Sequence, residues 1–135
     1  MNTFIDRATQ DILELHALIE SWYGGESNLE PAELERVVGH LHPDFIMIAA
    51  AGRKHGREAL AKRLQDRRGS LSGLDISIVD LDLLYATPEL AIFTYENQRR
   101  WEHHFQRRIS TAVFTRAEDG RPQWLHLQET LVEDE

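Results

Sequence analysis

Apolar residues recur along the opening segment with a helical period. Ile5, Ala8, Ile12, Leu15, Ile19 and Trp22 stand three or four positions apart, which places them on one helix face. Asp6, Asp11, Glu14 and Glu20 fall largely outside that stripe, and Gly24-Gly25 stops the helix. The stripe is too short for a coiled coil, so a core-facing helix is expected. Ser27 or Asn28 can cap a second helix, with Pro31 in its first turn. Leu34, Val37, Val38 and Leu41 form its apolar face, and Pro43 ends it. Phe45 to Ile48 reads as a strand and Ala51-Gly52 as a turn. A third helix follows from Arg57 to about Arg68, with Leu60, Ala61 and Leu64 as its apolar residues.

Past Gly69, Ser70 and Gly73 the period changes from helical to extended. Strands are expected from Leu74 to Ala86, Leu90 to about Arg100, Phe105 to Arg116 and Gln123 to Val132. Thr87-Pro88-Glu89 and the run from Glu118 to Pro122 are the turns. Short connections between sequential strands predict an antiparallel meander. Helices first and strands afterwards is the α+β pattern, here one domain over residues 1–132 with an acidic tail at 133–135.

Alternation gives each strand two faces. In the last strand Leu125, Leu127, Glu129 and Leu131 form the more apolar row, which should point at the helices. Trp124, His126, Gln128 and Thr130 then face outward. In the second long strand Leu90, Ile92, Thr94, Glu96 and Gln98 share a face, against Ala91, Phe93, Tyr95 and Asn97. The preferred registration puts Glu96 and Glu129 together on the concave face, with Arg107 or Arg108 as a counter-charge near Glu96; the alternative is that each acid is merely paired with Arg99, Arg107 or Arg108. A slip of one residue would exchange the faces. A carboxylate in an apolar row must be paired, protonated or in contact with a wet cavity.

Composition narrows the partners. The chain has 135 residues, enough for one domain with a substantial core. Its net charge of −8 argues against nucleic acid and anionic membranes, which need a concentrated basic face. There is no cysteine, which excludes disulfides, thiol catalysis and thiolate metal sites and fits a reducing cytoplasm. No signal peptide is evident at the N-terminus, and no apolar run approaches the roughly 20 residues needed to cross a bilayer. His103-His104 lack helical i, i+4 spacing and a third ligand, so no dedicated metal site is expected. No glycine-rich phosphate loop is present.

The chain resembles the nuclear transport factor 2-like superfamily, the cystatin-like α+β cones, over nearly its whole length. The resemblance rests on the long first helix ending in Trp22-Tyr23, and on His42-Pro43-Asp44-Phe45 opening a strand. It rests also on Gly52 and Gly56 flanking Arg53-Lys54-His55. The last part is Asp119-Gly120 followed by the run from Trp124 to Thr130, similar to the closing strand of SnoaL-like and kinase association-domain branches. The resemblance implies a curved antiparallel sheet wrapped by three N-terminal helices around a pocket. The superfamily holds ketosteroid isomerase, scytalone dehydratase, limonene epoxide hydrolase, polyketide cyclases and noncatalytic modules. The chain matches neither the isomerase nor the epoxide-hydrolase constellation, so no residues are carried over from those enzymes, and it looks most similar to small bacterial members without an assigned role.

The fold so implied places His55 at a pocket mouth, where it would orient a ligand or relay protons. It makes Trp22, Tyr23, Phe45, Met47, Leu60 and Leu64 pocket walls, each alternatively plain core. Thr94, Arg108, Thr111 and Leu127 complete the expected lining. Phe93, Tyr95, Phe114 and Trp124 would form an aromatic outer face, hence a homodimer packed through the sheets. The expected function is binding of a small apolar or partly polar molecule. Any reaction would be cofactor-free proton transfer of isomerase, dehydratase or cyclase type, with Glu96 or Glu129 as base and His55 or Tyr23 as hydrogen-bonding partner. The alternative is a noncatalytic homodimeric binding or association module. A closed cavity filled by arginines favours the module, and an open pocket with a free carboxylate favours the enzyme.

Overall fold

The apolar stripe of the first segment forms helix α1 (Thr3–Tyr23), which buries Phe4, Ala8, Ile12, Leu15, Leu18 and Trp22. A computed structural model describes residues 3–25 and 30–133, so the Ser27 or Asn28 cap and the last two tail residues lie outside the described residues. Helix α2 (Pro31–Val38) starts on its proline and turns Leu34 and Val37 inward. It ends before Leu41, which begins strand β1 (Leu41–Ile48), so this strand starts earlier than Phe45. Strand β2 (Lys54–Gly56) leads directly into helix α3 (Arg57–Asp66). The four long strands follow: β3 (Asp75–Thr87), β4 (Leu90–Trp101), β5 (His104–Arg116) and β6 (Pro122–Leu131).

The strands form one sheet in the order β2-β1-β6-β5-β4-β3. From β3 to β6 it is the expected meander. It is not wholly antiparallel, because β1 lies parallel to β6. The chain between them must cross back over the sheet, and α3 with β3 to β5 makes that crossing. The three helices cover one face: α1 packs on β3 and β6, α3 on β1 and β2, and α2 wedges against both helices. Gly52 closes the turn between β1 and β2 at φ 86°, a left-handed conformation that a side chain would strain.

Two irregularities decide which residues point inward. Strand β3 slips register between Val79 and Asp82, where Asp80 sits at φ 54°, and again between Leu83 and Tyr85. Strand β6 bulges opposite Val113 and Phe114, whose partners are His126 and Trp124. The extra residue puts Trp124 and Leu127, three apart, on the same face. The inner face therefore carries matched rows across β4, β5 and β6. Ala91–Phe114–Trp124 is the first row, Phe93–Ala112–Leu127 the second and Tyr95–Ser110–Glu129 the third. Large side chains stand beside small ones, which lets the rows interlock.

These rows correct two expectations. Phe93, Tyr95, Phe114 and Trp124 are core residues, at most 2% exposed, and make no aromatic outer surface. Glu96 faces away from the helices, because its strand presents the odd-numbered residues inward. Leu90 and Ile92 suggested the opposite parity. They lie on the outer face, while the inner face turns polar toward the end of β4.

Candidate functional site

Polarity along the inner face rises in one direction. In β4 it runs Ala91, Phe93, Tyr95, Asn97, Arg99, and the antiparallel β5 matches it with Phe114, Ala112, Ser110, Arg108. Phe4, Ala8 and Ile12 of α1 are buried in the same core cluster as the apolar residues of these strands. The polar end borders a cavity of about 140 Å³ between the sheet, the C-terminal half of α1 and helix α3. Leu15, His16, Ile19 and Tyr23 contribute from α1, Leu60, Arg63 and Leu64 from α3, and Arg67 from the cap just past its end. Met47, His55, Arg99, Arg108, Leu127 and Glu129 come from the sheet. Register explains His55: it pairs with Met47, which pairs with Leu127, so all three share a face.

Glu129 is the centre of the polar end and is 3% exposed. Arg108 Nη1 donates to its Oε1 at 3.1 Å, and Asn97 Nδ2 donates to its Oε2 at 3.4 Å. Arg99 Nη2 stands 4.0 Å from Oε2 and its Nε donates to Asn97 Oδ1 at 3.3 Å. Burial pushes the pKa of Arg99 down, and the Glu129 charge opposes that shift. Both carboxylate oxygens are thus held by the protein. Arg108 Nη2 is anchored on Gln106 at 3.0 Å, yet its buried Nε has no partner. Buried His55 Nε2 has none either.

Beside this cluster lies a buried Tyr95–His16 pair, with 3.4 Å between the hydroxyl and Nε2. His16 Nδ1 is 2.8 Å from the Ile12 carbonyl, which can only accept, so Nδ1 carries the proton. Nε2 then accepts from the Tyr95 hydroxyl. Burial takes the His16 pKa down to about 4 and raises that of Tyr95 well above its usual value. Both groups are neutral at neutral pH. His55 also titrates low, through burial and then through the charges of Arg63 and Arg53.

Of the expected site residues, Glu129, His55, Tyr23, Met47, Leu60, Leu64, Arg108 and Leu127 border the cavity. Trp22 and Phe45 are buried in the core and do not border it; the Trp22 indole donates to the Leu64 carbonyl and Arg68 stacks over its ring at 4.6 Å. Thr94 and Thr111 pair with each other on the outer face, one residue out of phase with Tyr95 and Ser110. Glu96 joins them there, held by Arg107 Nη2 at 2.6 Å and Gln98 Nε2 at 2.6 Å. These bonds hold its pKa low. Arg99, expected only as a counter-charge for the acids, also borders the cavity; among the polar lining residues His16, Arg63 and Arg67 were not anticipated. A signal existed for two of them: Arg63 and Arg67 follow Leu60 and Leu64 by three, on the side of α3 and of its C-cap that meets the cavity.

No family model matches the chain, and no curated protein does. Solved structures do match. An NTF-2-like protein of unknown function from Pseudomonas aeruginosa is 28% identical, with a TM-score of 0.85 over 94% of this chain and 99% of that one. The chain belongs to the nuclear transport factor 2-like superfamily. An uncharacterized protein with a cystatin-like fold from Caulobacter vibrioides has TM-score 0.76 at 13% identity, covering 96% of this chain and 90% of that one. A ketosteroid isomerase-like protein from Erwinia carotovora atroseptica has TM-score 0.73 at 8% identity, covering 99% of this chain and 100% of that one. At such identities the last two speak for the superfamily's fold and not for its chemistry.

Proposed function

We propose that this nuclear transport factor 2-like chain is a small-molecule-binding domain that holds its ligand without transforming it. The observation that carries the reading is the state of Glu129. Each of its oxygens already accepts a hydrogen bond, one from Arg108 and one from Asn97, with Arg99 alongside, so the cavity has arginines around a paired carboxylate instead of a free base. The leucines of α1 and α3 supply the apolar wall that small-molecule sites use. The test is a ligand-observed NMR screen of small organic molecules against the chain and against Leu60→Trp, which fills the cavity. Hits that vanish in the variant support the reading; hits that persist place the ligand elsewhere.

The proton-transfer reading keeps one specific support: Glu129, His55 and Tyr23 border the same cavity, and the fold is shared with a ketosteroid isomerase-like protein. It requires a ligand that displaces Arg108 from Glu129. Deuterium exchange at an activated C–H of a bound ligand, lost in Glu129→Gln, would establish it. A sheet-to-sheet homodimer now rests on other residues, since Ile46 and Ile109 on the outer face are 39% and 45% exposed. A monomer in sedimentation at micromolar concentration would remove it.

A further inference from the structure

We propose that the ligand of this cavity is a small organic monocarboxylate: an apolar body with one anionic end, seated among the arginines. The inference rests on the binding reading above and names the class of molecule bound.

Charge is the first ground. The chain as a whole carries −8, yet four guanidinium groups border this cavity, those of Arg63, Arg67, Arg99 and Arg108, against the single carboxylate of Glu129. Arginine concentrated against the sign of the whole chain is a recognition feature, because its planar fork fits a carboxylate. Two of the four are not consumed by the protein. Among the described residues, Arg63 and Arg67 form no ion pair, not even with Asp66 beside them on α3.

Unmet hydrogen bonding is the second ground. Arg108 Nε and His55 Nε2 are both buried without a partner, and both residues border the cavity from the sheet side. Buried polar atoms in folded proteins are almost always paired, so two orphans at one cavity point to a polar guest. Burial first, and then the charges of Arg63 and Arg53, hold the His55 pKa down, in keeping with a positive environment at this wall.

The remaining wall selects the rest of the molecule. Leu15, Ile19, Leu60, Leu64, Leu71 and Leu127 would gain nothing from an inorganic anion. A wholly apolar guest would leave the guanidinium groups desolvated and unpaired. A divalent cation would be repelled. A phosphate chain would need a backbone nest that this leucine-rich lining does not provide.

The test is isothermal titration of the full chain with benzoate, phenylacetate and hexanoate, each against its neutral amide, and with inorganic phosphate. At least one acid is expected to bind with one-to-one stoichiometry and about tenfold more tightly than its amide, the difference of one charge-assisted contact. Added salt should weaken the acid and spare the amide. Arg63→Gln should cut acid affinity severalfold and leave amide affinity unchanged. Arg63 is the residue to vary, because Arg108→Gln strips Glu129 of its partner and can unfold the chain. Amides binding as well as acids would overturn the carboxylate and leave the binding domain standing. Phosphate binding as tightly as the acids would overturn the apolar body. Binding of neither acids nor amides would overturn the binding domain as well.

Discussion

Arg108 Nη1 stands 3.1 Å from Glu129 Oε1, diagonally across β5 and β6 on the inner face of the sheet. Glu129 is almost fully buried, so its charge depends on that contact. Arg108→Leu leaves a buried carboxylate with Asn97 and a guanidinium 4.0 Å away. The expected loss is about 3 kcal/mol, the low end for breaking a buried pair, because Arg99 retains part of the compensation. The double variant Arg108→Leu/Glu129→Leu should recover part of it, the remainder being lost because buried Arg99 then lacks its carboxylate. Urea denaturation of the two single variants and the double variant gives the coupling directly; no recovery would mean the two residues act separately.

Glu96 has a closer arginine contact than Glu129, at 2.6 Å, but on the other side of the sheet. It touches nothing in the cavity. Glu96→Gln is therefore expected to leave ligand affinity unchanged, whereas Glu129→Gln alters it. The comparison is made by titrating any ligand found in the screen into both variants. A loss of affinity in Glu96→Gln equal to that in Glu129→Gln would return Glu96 to the site.

The helices and the meander were legible because each carries a clean period: the stripe of α1, and four extended runs separated by turn residues. The crossing of β1 to lie parallel with β6 left no local mark, since pairing partners far apart in sequence are set by packing. Face assignment failed in β4 for a physical reason. Inward residues there are chosen by the cavity as well as the core, so Asn97 and Arg99 occupy positions that polarity alone assigns to solvent. In β6 the assignment of Glu129 and Leu127 was right, but the bulge moved Trp124 to join them. A single inserted residue of this kind inverts the alternation without changing any residue type.

That bulge gives a stability prediction. Trp124 is 1% exposed, packs against Phe114 at 4.8 Å between centroids, and its indole donates to the His126 carbonyl at 3.0 Å. Trp124→Ala should destabilise by about 3–5 kcal/mol through the cavity it opens. Trp124→Phe keeps most of the volume and loses the hydrogen bond, for about 1–2 kcal/mol. Denaturant midpoints of the three proteins test this. Equal stability of Trp124→Ala and the native chain would mean that Trp124 lies outward after all.

His16 makes the native state sensitive to mild acid. It is fully buried, bonded to Ile12 O and Tyr95, with its pKa at about 4 against 6.5 when exposed. Between those values the unfolded chain takes up a proton that the native chain refuses. Stability therefore rises with pH across this window, is complete above 6.5 and is lost progressively as pH falls toward 4. The full span amounts to about 3 kcal/mol, of which roughly 2 kcal/mol is gone by pH 5. His55, also titrating low, adds in the same direction. Asp11 has the opposite sign: burial raises its pKa, so protonating it steadies the native state as pH falls toward 3.8. Urea unfolding at pH 7.5 and pH 5 measures the slope, and His16→Gln isolates this residue's share by removing its titration while keeping a polar partner for Tyr95. A slope unchanged in His16→Gln would assign the acid sensitivity to the other groups.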